Sequence, residues 1–340
     1  STPIKSSAAS DVYKRQAQDT APETGMDIRS RMEAARKREE EENRRNQMAE
    51  RKEQNEAMQQ VEEDLGHVKK PAKVITVFSA KGGVGKTTIA CELATFLSLT
   101  NHGKGKFRVC LVDYDLMFGD ILSTLNFNPN QANMMDWIAD LDKKHKAGQE
   151  WNAISYDAGQ IERFLQKKEE SGLYSLIAPI TNFDYMKISN EEIVNLCGTM
   201  LRNIVENGDF DFVIVDTGNN IEDATYVSLE RADEILLILT QSMNSANCNN
   251  NFLNTMNHLE FDLSKIRIVI NKAKPAKGVG ISVNELQEAL KNPVTNQPFE
   301  CYAKIKDNDA VQNAENVGEP MVYKSCLLYT SPSPRDPKTS

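Results

Sequence analysis

The sequence predicts an α/β fold, with helices covering both faces of a mostly parallel, twisted sheet. Two observations carry this prediction. Between residues 70 and 325, short apolar segments alternate with longer helix-like segments, and this βαβ rhythm is typical of a parallel sheet between two helical layers. The chain has 340 residues, of which 40% are apolar, so it is long enough to bury such a sheet in one large domain with accessory segments.

Six apolar, largely β-branched runs are predicted to be the buried strands. They are residues 74–78, 109–112, 175–178, 212–215, 234–239 and 266–270. Helix-like stretches lie between them, including residues 191–207 and 248–259. The group MMDW at residues 134–137 has helical spacing, so it is expected to pack in the core rather than to form an exposed binding surface.

A highly charged segment, residues 26–65, precedes the predicted sheet. It contains 9 Lys or Arg and 12 Asp or Glu residues and neither Gly nor Pro. Acid–base pairs four residues apart favour a helix here; they are Glu33–Lys37, Glu40–Arg44 and Glu41–Arg45. The few apolar residues keep no heptad register, which argues against a strong coiled coil. We therefore expect residues 17–69 to be a charged helical arm and linker, either a solvated single helix or an arm that binds a partner.

Both ends of the chain are expected to be non-native. The strings DVYKRQ at residues 11–16 and CLLYTSPSPRD at residues 326–336 resemble translated sequencing-library adapters. We therefore expect residues 1–16 and 326–340 to be adapter-derived tails on a native chain cut at both ends, with genuine disordered tails as the alternative.

Composition argues against a membrane-spanning, a secreted and a broadly nucleic-acid-binding protein. The longest apolar run, residues 235–239, is too short to cross a bilayer, and no apolar stretch follows a basic start as in a signal peptide. The 6 cysteines lie far apart, as reduced thiols of a cytosolic protein do. We therefore expect a cytoplasmic protein, with peripheral attachment at the inner face of the membrane left open. The net charge of −9 argues weakly against broad affinity for nucleic acid.

The segment FSAKGGVGKTTIACELATFL, residues 78–97, joins a predicted strand to a predicted helix through a glycine-rich turn. It fits the phosphate-binding pattern G-x-x-x-x-G-K-[ST], except that Ala80 replaces the first glycine. Glycines allow the backbone N–H groups to converge on phosphates, and the helix N-terminus adds partial positive charge. Lys86 is expected to bridge the β- and γ-phosphates, and the Thr87 hydroxyl to hold Mg²⁺. A purely structural glycine turn is the weaker alternative.

The string KGGVGKTT, residues 81–88, resembles the deviant Walker A motif of the ParA/MinD family of ATPases. Its mark is Lys81, five residues before Lys86. In that family the early lysine reaches the nucleotide held by the opposite subunit. The resemblance therefore implies a SIMIBI-type P-loop NTPase fold for residues 70–325, with ATP and Mg²⁺ as cofactors. It also implies a homodimer that encloses two ATP molecules and forms only with ATP, so that the protein acts as a switch.

Three aspartates follow predicted strands. Asp113 and Asp115 are two residues apart, so both point to one face of a strand, and Asp216 ends the run FVIVD. The resemblance implies that Asp115 positions the attacking water, that Asp113 supports the magnesium shell, and that Asp216 is the Walker B carboxylate. Acidic residues at strand ends also serve as ordinary helix caps, but three beside a phosphate loop favour a catalytic site.

The resemblance extends to Asn271, in RIVINKAK, which in the family hydrogen-bonds the adenine edge; a turn-forming asparagine is the alternative. The downstream IKDNDAVQNAENVGEPM, residues 305–321, matches the family's strand, short loop and helix closed by Gly-x-Pro. The expected nucleotide-binding residues are thus Lys81, Gly82, Gly83, Val84, Gly85, Lys86, Thr87, Thr88 and Asn271. The expected catalytic residues are Lys81, Lys86 and Asp115, and the expected metal ligands are Thr87, Asp113 and Asp216.

Within the family the chain looks most like the CpaE/TadZ branch, the ATPases of Tad (type IVb) pilus assembly. The residues that carry this resemblance are 111–125, 171–186 and 209–242. It implies a slow ATP hydrolase that positions or assembles a pilus secretion machine, with pilus assembly proteins as partners. Many members of the branch carry a receiver-like domain, and here only the charged arm precedes the ATPase segment. A DNA-partition ATPase and a nucleotide-binding scaffold without turnover are the alternatives.

Overall fold

The computed structural model describes residues 70–103, 105–186, 188–274 and 281–323. The charged arm predicted for residues 17–69 and the two expected tails lie outside these residues. The described strands are β1 (Lys73–Phe78), β2 (Asn101–His102), β3 (Gly105–Lys106), β4 (Val109–Tyr114), β5 (Gln166–Lys167), β6 (Tyr174–Leu176), β7 (Phe212–Thr217), β8 (Glu234–Leu239), β9 (Ile266–Ala273) and β10 (Cys301–Lys306). Each predicted strand is among them.

Eight of these strands form one sheet in the order β10-β9-β8-β1-β7-β4-β6-β5, and β2 and β3 form a separate antiparallel pair. Every neighbouring pair in the large sheet is parallel except β5 with β6. The chain passes from β1 to β4 on one side of the sheet and later to β8 on the other, so β1 lies where the winding direction changes. Ligands of such sheets bind at the carboxyl ends of the strands near that point.

The described residues form the helices α1 (Lys86–Leu99), α2 (Ile121–Thr124), α3 (Met134–Lys146), α4 (Ala158–Glu162), α5 (Asn182–Tyr185), α6 (Asn190–Asn207), α7 (Asp223–Arg231), α8 (Met243–His258), α9 (Val283–Ala289) and α10 (Asp309–Val317). Short 3₁₀ turns lie at Trp151–Ala153 and Leu263–Lys265. Helix α8 begins five residues earlier than predicted because the Ser242 hydroxyl accepts a hydrogen bond from the Ser245 N–H and caps the helix there. None of the described helices is long and apolar enough to cross a membrane.

Successive residues of the central strands pack on opposite faces of the sheet. Ile75 and Val77 of β1 belong to the same apolar cluster as the buried residues of α1, whereas Val74 belongs to the cluster that contains α6. Strands buried on both faces read as continuous apolar runs, which is why the sequence pattern locates them. The predicted α/β architecture, with helices on both faces of a mostly parallel sheet, is confirmed.

Two details refine the predictions. Strand β6 ends at Leu176, two residues before its predicted end, and Pro179, which has no N–H to donate to a strand ladder, follows three residues later. Met134 and Trp137 are both 0% exposed, and the Trp137 ring stacks on that of Phe164 with a centroid distance of 5.0 Å. The core position expected for these two side chains is therefore confirmed.

Candidate active site

The predicted site residues meet at the carboxyl edge of the sheet. The loop at residues 79–85 leaves the end of β1, while Asp113 and Asp216 lie near the ends of β4 and β7. Strand β7 lies between β1 and β4, and the Thr217 hydroxyl fixes its end to β1 by donating to the Val77 carbonyl at 2.8 Å. The sheet order therefore brings a glycine loop and two carboxylates from distant parts of the chain to one place.

Two glycines give the loop its shape. Gly83 has φ of 72° and Gly85 has φ of 93°, in the region that L side chains disfavour. A Cβ atom at Gly85 would lie 2.5 Å from Nδ2 of Asn271, so this position has no space for a side chain either. Gly85 is also the N-cap of α1, and no described side chain caps that helix. The N–H groups at the start of α1 are thus left to bind an anion.

Three side chains from other elements hold the loop backbone. Oδ1 of Asn249 on α8 accepts from the Ala80 N–H at 3.1 Å, and Nδ2 of Asn271 donates to the Val84 carbonyl at 2.8 Å. Nζ of Lys272 donates to the Gly83 carbonyl at 3.1 Å. Asn271, predicted from the sequence to contact adenine, therefore also supports the cradle. Sequence reasoning missed Asn249 and Lys272, since neither belongs to a local motif.

Asp216 is a buried carboxylate that lies close to Thr87 and Lys86. It is 0% exposed, and neither carboxylate oxygen has a partner of normal geometry among the described residues. Burial raises its pKa to about 7, although the nearby Thr87 hydroxyl and the Lys86 ammonium oppose the rise. Burial also lowers the pKa of Lys86, against the attraction of Asp216 and Asp115. A buried carboxylate that makes no hydrogen bond of normal geometry to the described residues favours a cation as a further partner.

Asp113 and Asp115 have different surroundings. Asp113 is buried, and its two oxygens accept the Asp115 N–H at 3.2 Å and the Ile121 N–H at 3.3 Å. Burial, followed by the charge of Asp216, raises the Asp113 pKa. Asp115 is half-exposed and accepts the Phe118 N–H at 3.2 Å. Asp113 thus anchors the loop after β4, and Asp115 lies at the open side of the site.

Two residues of the KGGVGKTT string have contacts away from the phosphate cradle. The Thr88 hydroxyl donates to a carboxylate oxygen of Glu315 on α10. The Lys81 N–H donates to Oγ of Ser79 at 3.2 Å, and Lys81 forms no salt bridge within the described parts of the chain. The expected strand, loop and helix of residues 305–321 are present, with α10 ending at Gly318 in a left-handed conformation.

These residues fit a magnesium nucleotide. The cradle offers backbone N–H groups and Lys86 to phosphates, and Thr87 and Asp216 offer oxygen atoms to a cation. No group of three or more His, Cys, Asp or Glu residues in the described ranges has the geometry of a complete metal site. A divalent ion here would therefore take further oxygen ligands from the phosphates and water, as Mg²⁺ commonly does.

Comparison with known proteins agrees with this arrangement. The sequence model of the AAA domain family matches residues 72–268, more than half of the chain. The septum site-determining protein MinD of Thermotoga maritima is 24% identical over 254 residues, which cover 73% of this chain and 80% of MinD.

Solved structures share the fold. A ParA family ATPase from Chlorobium tepidum has a TM-score of 0.60 at 23% identity, over 75% of this chain and 93% of that protein. MinD of Pyrococcus horikoshii, solved in complex with Mg-ADP, has a TM-score of 0.55 at 14% identity, over 74% of this chain and 88% of that protein. The chain belongs to the AAA domain family, and it is similar to MinD in sequence and to ParA and MinD proteins in fold.

Proposed function

We propose that this protein is a switch ATPase that dimerises on ATP, hydrolyses it slowly to ADP and phosphate, and helps to localise or assemble a Tad-type (type IVb) pilus secretion machine. The observation that carries the nucleotide part is the buried Asp216 carboxylate, which makes no hydrogen bond of normal geometry to the described residues. It lies close to Lys86 and Thr87 at the start of α1, where Gly85 leaves the helix without a side-chain cap. A bound cation would pair with the Asp216 carboxylate, and triphosphate oxygens would accept the free N–H groups at the start of α1.

The proposed roles follow the chemistry of each side chain. The N–H groups of residues 82–86 and the Lys86 ammonium bind the phosphates. Thr88, whose hydroxyl donates to Glu315, adds its backbone N–H in the first turn of α1. Thr87 and Asp216, supported by Asp113, hold Mg²⁺, which neutralises developing phosphate charge when it is bound. Asp115, half-exposed at the mouth of the site, accepts a hydrogen bond from the attacking water and orients it. Asn271 binds the adenine edge with its remaining amide capacity.

Dimerisation is proposed from Lys81. This lysine lies beside the phosphate loop but forms no salt bridge within the described residues, and the Lys86 ammonium already serves its own cradle. In a face-to-face dimer, the Lys81 ammonium of each copy would lie near the phosphates of the nucleotide bound to the other copy. Bound ATP would therefore stabilise the homodimer. Residues 70–325 would then be the ATPase domain, and the charged arm at residues 17–69 an accessory to it.

The pilus role rests on the resemblance of residues 111–125, 171–186 and 209–242 to the CpaE/TadZ branch. These segments contain most of β4 and all of β6, β7, α7 and β8. The first includes Asp113 and Asp115, and the third includes Asp216. A partition ATPase would have the same fold and cradle, but its ATP dimer would bind DNA through Lys and Arg side chains. The net charge of −9 favours a protein partner in the cytoplasm over DNA.

The deciding experiment is phosphate release by the full chain with MgATP, beside Lys86→Ala and Asp115→Ala. We expect wild-type release above the Lys86→Ala background, and release by Asp115→Ala close to that background while it still binds nucleotide. Binding without release would favour the scaffold. Failure of the wild type to take up adenine nucleotide with Mg²⁺ in calorimetry would end the whole proposal.

A gel shift with nonspecific DNA separates the two ATPase roles. A partition protein should retard DNA only with ATP, and the retardation should weaken steeply with added salt. A pilus assembly ATPase should leave the DNA unshifted. Copurification of Tad assembly proteins with the ATP-bound protein, and their absence with Lys86→Ala, is the positive result expected for the pilus role.

A further inference from the structure

Asn249 is a buried side chain of α8 that contacts the start of the phosphate loop. It is 0% exposed. Its Nδ2 donates to the Ser245 carbonyl one turn earlier on α8 at 2.9 Å, which fixes the orientation of the amide. Its Oδ1 then accepts the Ala80 N–H at 3.1 Å. The Asn249 amide therefore holds the loop backbone by a hydrogen bond and does not only fill space in the core.

Ser79 extends this contact by one residue. Its side chain is 0% exposed. Its Oγ accepts the Lys81 N–H at 3.2 Å and lies 3.4 Å from Nδ2 of Asn249. Asn249 and Ser79 therefore fix two successive backbone N–H groups, those of Ala80 and Lys81. This pair therefore restrains the backbone at Ala80 and Lys81, directly after β1.

The rest of the loop is held from another element. Asn271 and Lys272, at the end of β9, hold the carbonyls of Val84 and Gly83. The phosphate-binding half of the loop is thus supported by β9, and the half that carries Lys81 by α8. We therefore expect that substitutions can weaken either half of the loop separately, because the two sets of hydrogen bonds involve different residues.

We propose that Asn249 is a positioning residue for Lys81: together with Ser79 it holds the backbone so that the Lys81 ammonium reaches a nucleotide bound to a second copy of this chain. The inference rests on the proposed function. An asparagine suits this place because it donates to Ser245 and accepts from Ala80 at once. An aspartate keeps the acceptor, but it loses the donor and places a buried carboxylate oxygen against the Ser245 carbonyl.

The test measures nucleotide binding and dimerisation in the same full-length variants. MgATP affinity is measured by calorimetry, ATP-dependent dimerisation by analytical ultracentrifugation, and kcat and KM by phosphate release. The variants are Asn249→Ala, Asn249→Asp, Ser79→Ala and Ser79→Thr. The matched control is Asn250→Ala, the next residue on α8, whose Nδ2 donates to the Ala289 carbonyl at 2.7 Å and not to the described loop at residues 79–85.

For Asn249→Ala and Ser79→Ala we expect MgATP affinity within about threefold of the wild type and a dimer dissociation constant raised about tenfold or more, because a buried backbone hydrogen bond is lost. Their kcat should fall more than their KM changes. Asn249→Asp should also dimerise weakly. Ser79→Thr keeps the hydroxyl and should dimerise like the wild type, as should Asn250→Ala.

Three results would overturn the inference. Wild-type dimerisation by Asn249→Ala would show that the contact does not position Lys81. Equal losses of affinity and dimerisation in Asn249→Ala and Ser79→Ala would show a general role in the cradle. If Asn249→Ala does not fold, the comparison of Ser79→Ala with Ser79→Thr tests the inference instead. Equal dimer dissociation constants for these two variants would contradict it. A wild type that binds no nucleotide refutes the proposed function itself, whereas a wild type that binds and dimerises leaves only the role of Asn249 in question.

Discussion

Asp113 and Asp216 lie directly opposite each other on the neighbouring parallel strands β4 and β7. Both are 0% exposed. The oxygens of Asp113 accept two backbone N–H groups, whereas those of Asp216 have no partner of normal geometry among the described residues. Two carboxylates in the same layer of the sheet thus have separate tasks. Asp113 holds the loop after β4, and Asp216 is the carboxylate that we propose as a cation ligand.

The first prediction concerns Asp216→Asn in the nucleotide-free protein. Burial raises the Asp216 pKa from 3.8 to about 7. Between these values the native state holds a proton that the unfolded state has released, so the contribution of Asp216 to the free energy of unfolding falls as the pH rises. At pH 8 we expect Asp216→Asn to be more stable than the wild type by about 1–3 kcal/mol, because the cost of a buried charge exceeds that of an unpaired amide.

The measurement is urea denaturation with EDTA between pH 4 and pH 8. The gain from Asp216→Asn should shrink towards pH 4, where the native wild-type carboxyl is protonated and no charge is buried. As a comparison, Asp115→Asn removes a half-exposed charge that helps to raise the Asp216 pKa, so it should lessen the wild-type loss of stability across this range without abolishing it. A variant that is less stable than the wild type at pH 8 would mean that the Asp216 charge is already compensated within the chain.

The fold was predictable because its central strands are buried on both faces. Strands such as β8, whose run EILLIL has five buried residues, leave a continuous apolar pattern that needs no knowledge of their neighbours. Strand β5 has two residues, Gln166 and Lys167, at the edge of the sheet, and nothing in its composition marks it. Start points such as that of α8 depend on a single capping serine, so periodicity alone misplaces them.

The candidate site was predictable only where its chemistry is local in sequence. The glycine loop is contiguous, and Asp113, Asp115 and Asp216 each follow an apolar run, so a pattern reveals them. Asn249 lies 169 residues from Ala80, and Glu315 lies 227 residues from Thr88. Contacts across such distances are created by the order of the strands. No local pattern in one sequence records them.

The second prediction compares two glycines of the loop. Both Gly83 and Gly85 have positive φ, so alanine at either costs about 1 kcal/mol in backbone strain. Only at Gly85 would the new Cβ meet another group, Nδ2 of Asn271 at 2.5 Å, and this would also break the Asn271 hydrogen bond to Val84. We expect Gly85→Ala to weaken MgATP binding at least about tenfold by calorimetry, and Gly83→Ala to do so by less. Equal losses would contradict the steric argument.

The third prediction separates the two lysines of the loop. Lys86→Ala removes the charge next to Asp216 and should abolish measurable MgATP binding. Lys81→Ala should leave binding to the monomer within about threefold, because Lys81 forms no salt bridge in its own chain where the structure describes it. It should nevertheless prevent ATP-dependent dimerisation in analytical ultracentrifugation. An ATP-bound Lys81→Ala dimer as stable as the wild-type dimer would show that Lys81 does not contact the nucleotide of the second copy.

The fourth prediction concerns Glu92, whose carboxylate ties α1 to the chain after α10. Its two oxygens accept the N–H groups of Met321 and Val322, the latter at 2.9 Å. Glu92→Ala leaves both N–H groups without this acceptor, so we expect the free energy of unfolding to fall by about 1–2 kcal/mol. Glu92→Gln keeps one acceptor oxygen in a side chain of the same length and should lose about half as much. Urea denaturation gives the three stabilities, and limited proteolysis of the nucleotide-free protein should cleave Glu92→Ala fastest near Met321. Identical stabilities for the three proteins would mean that α10 and the residues after it are held by apolar packing alone.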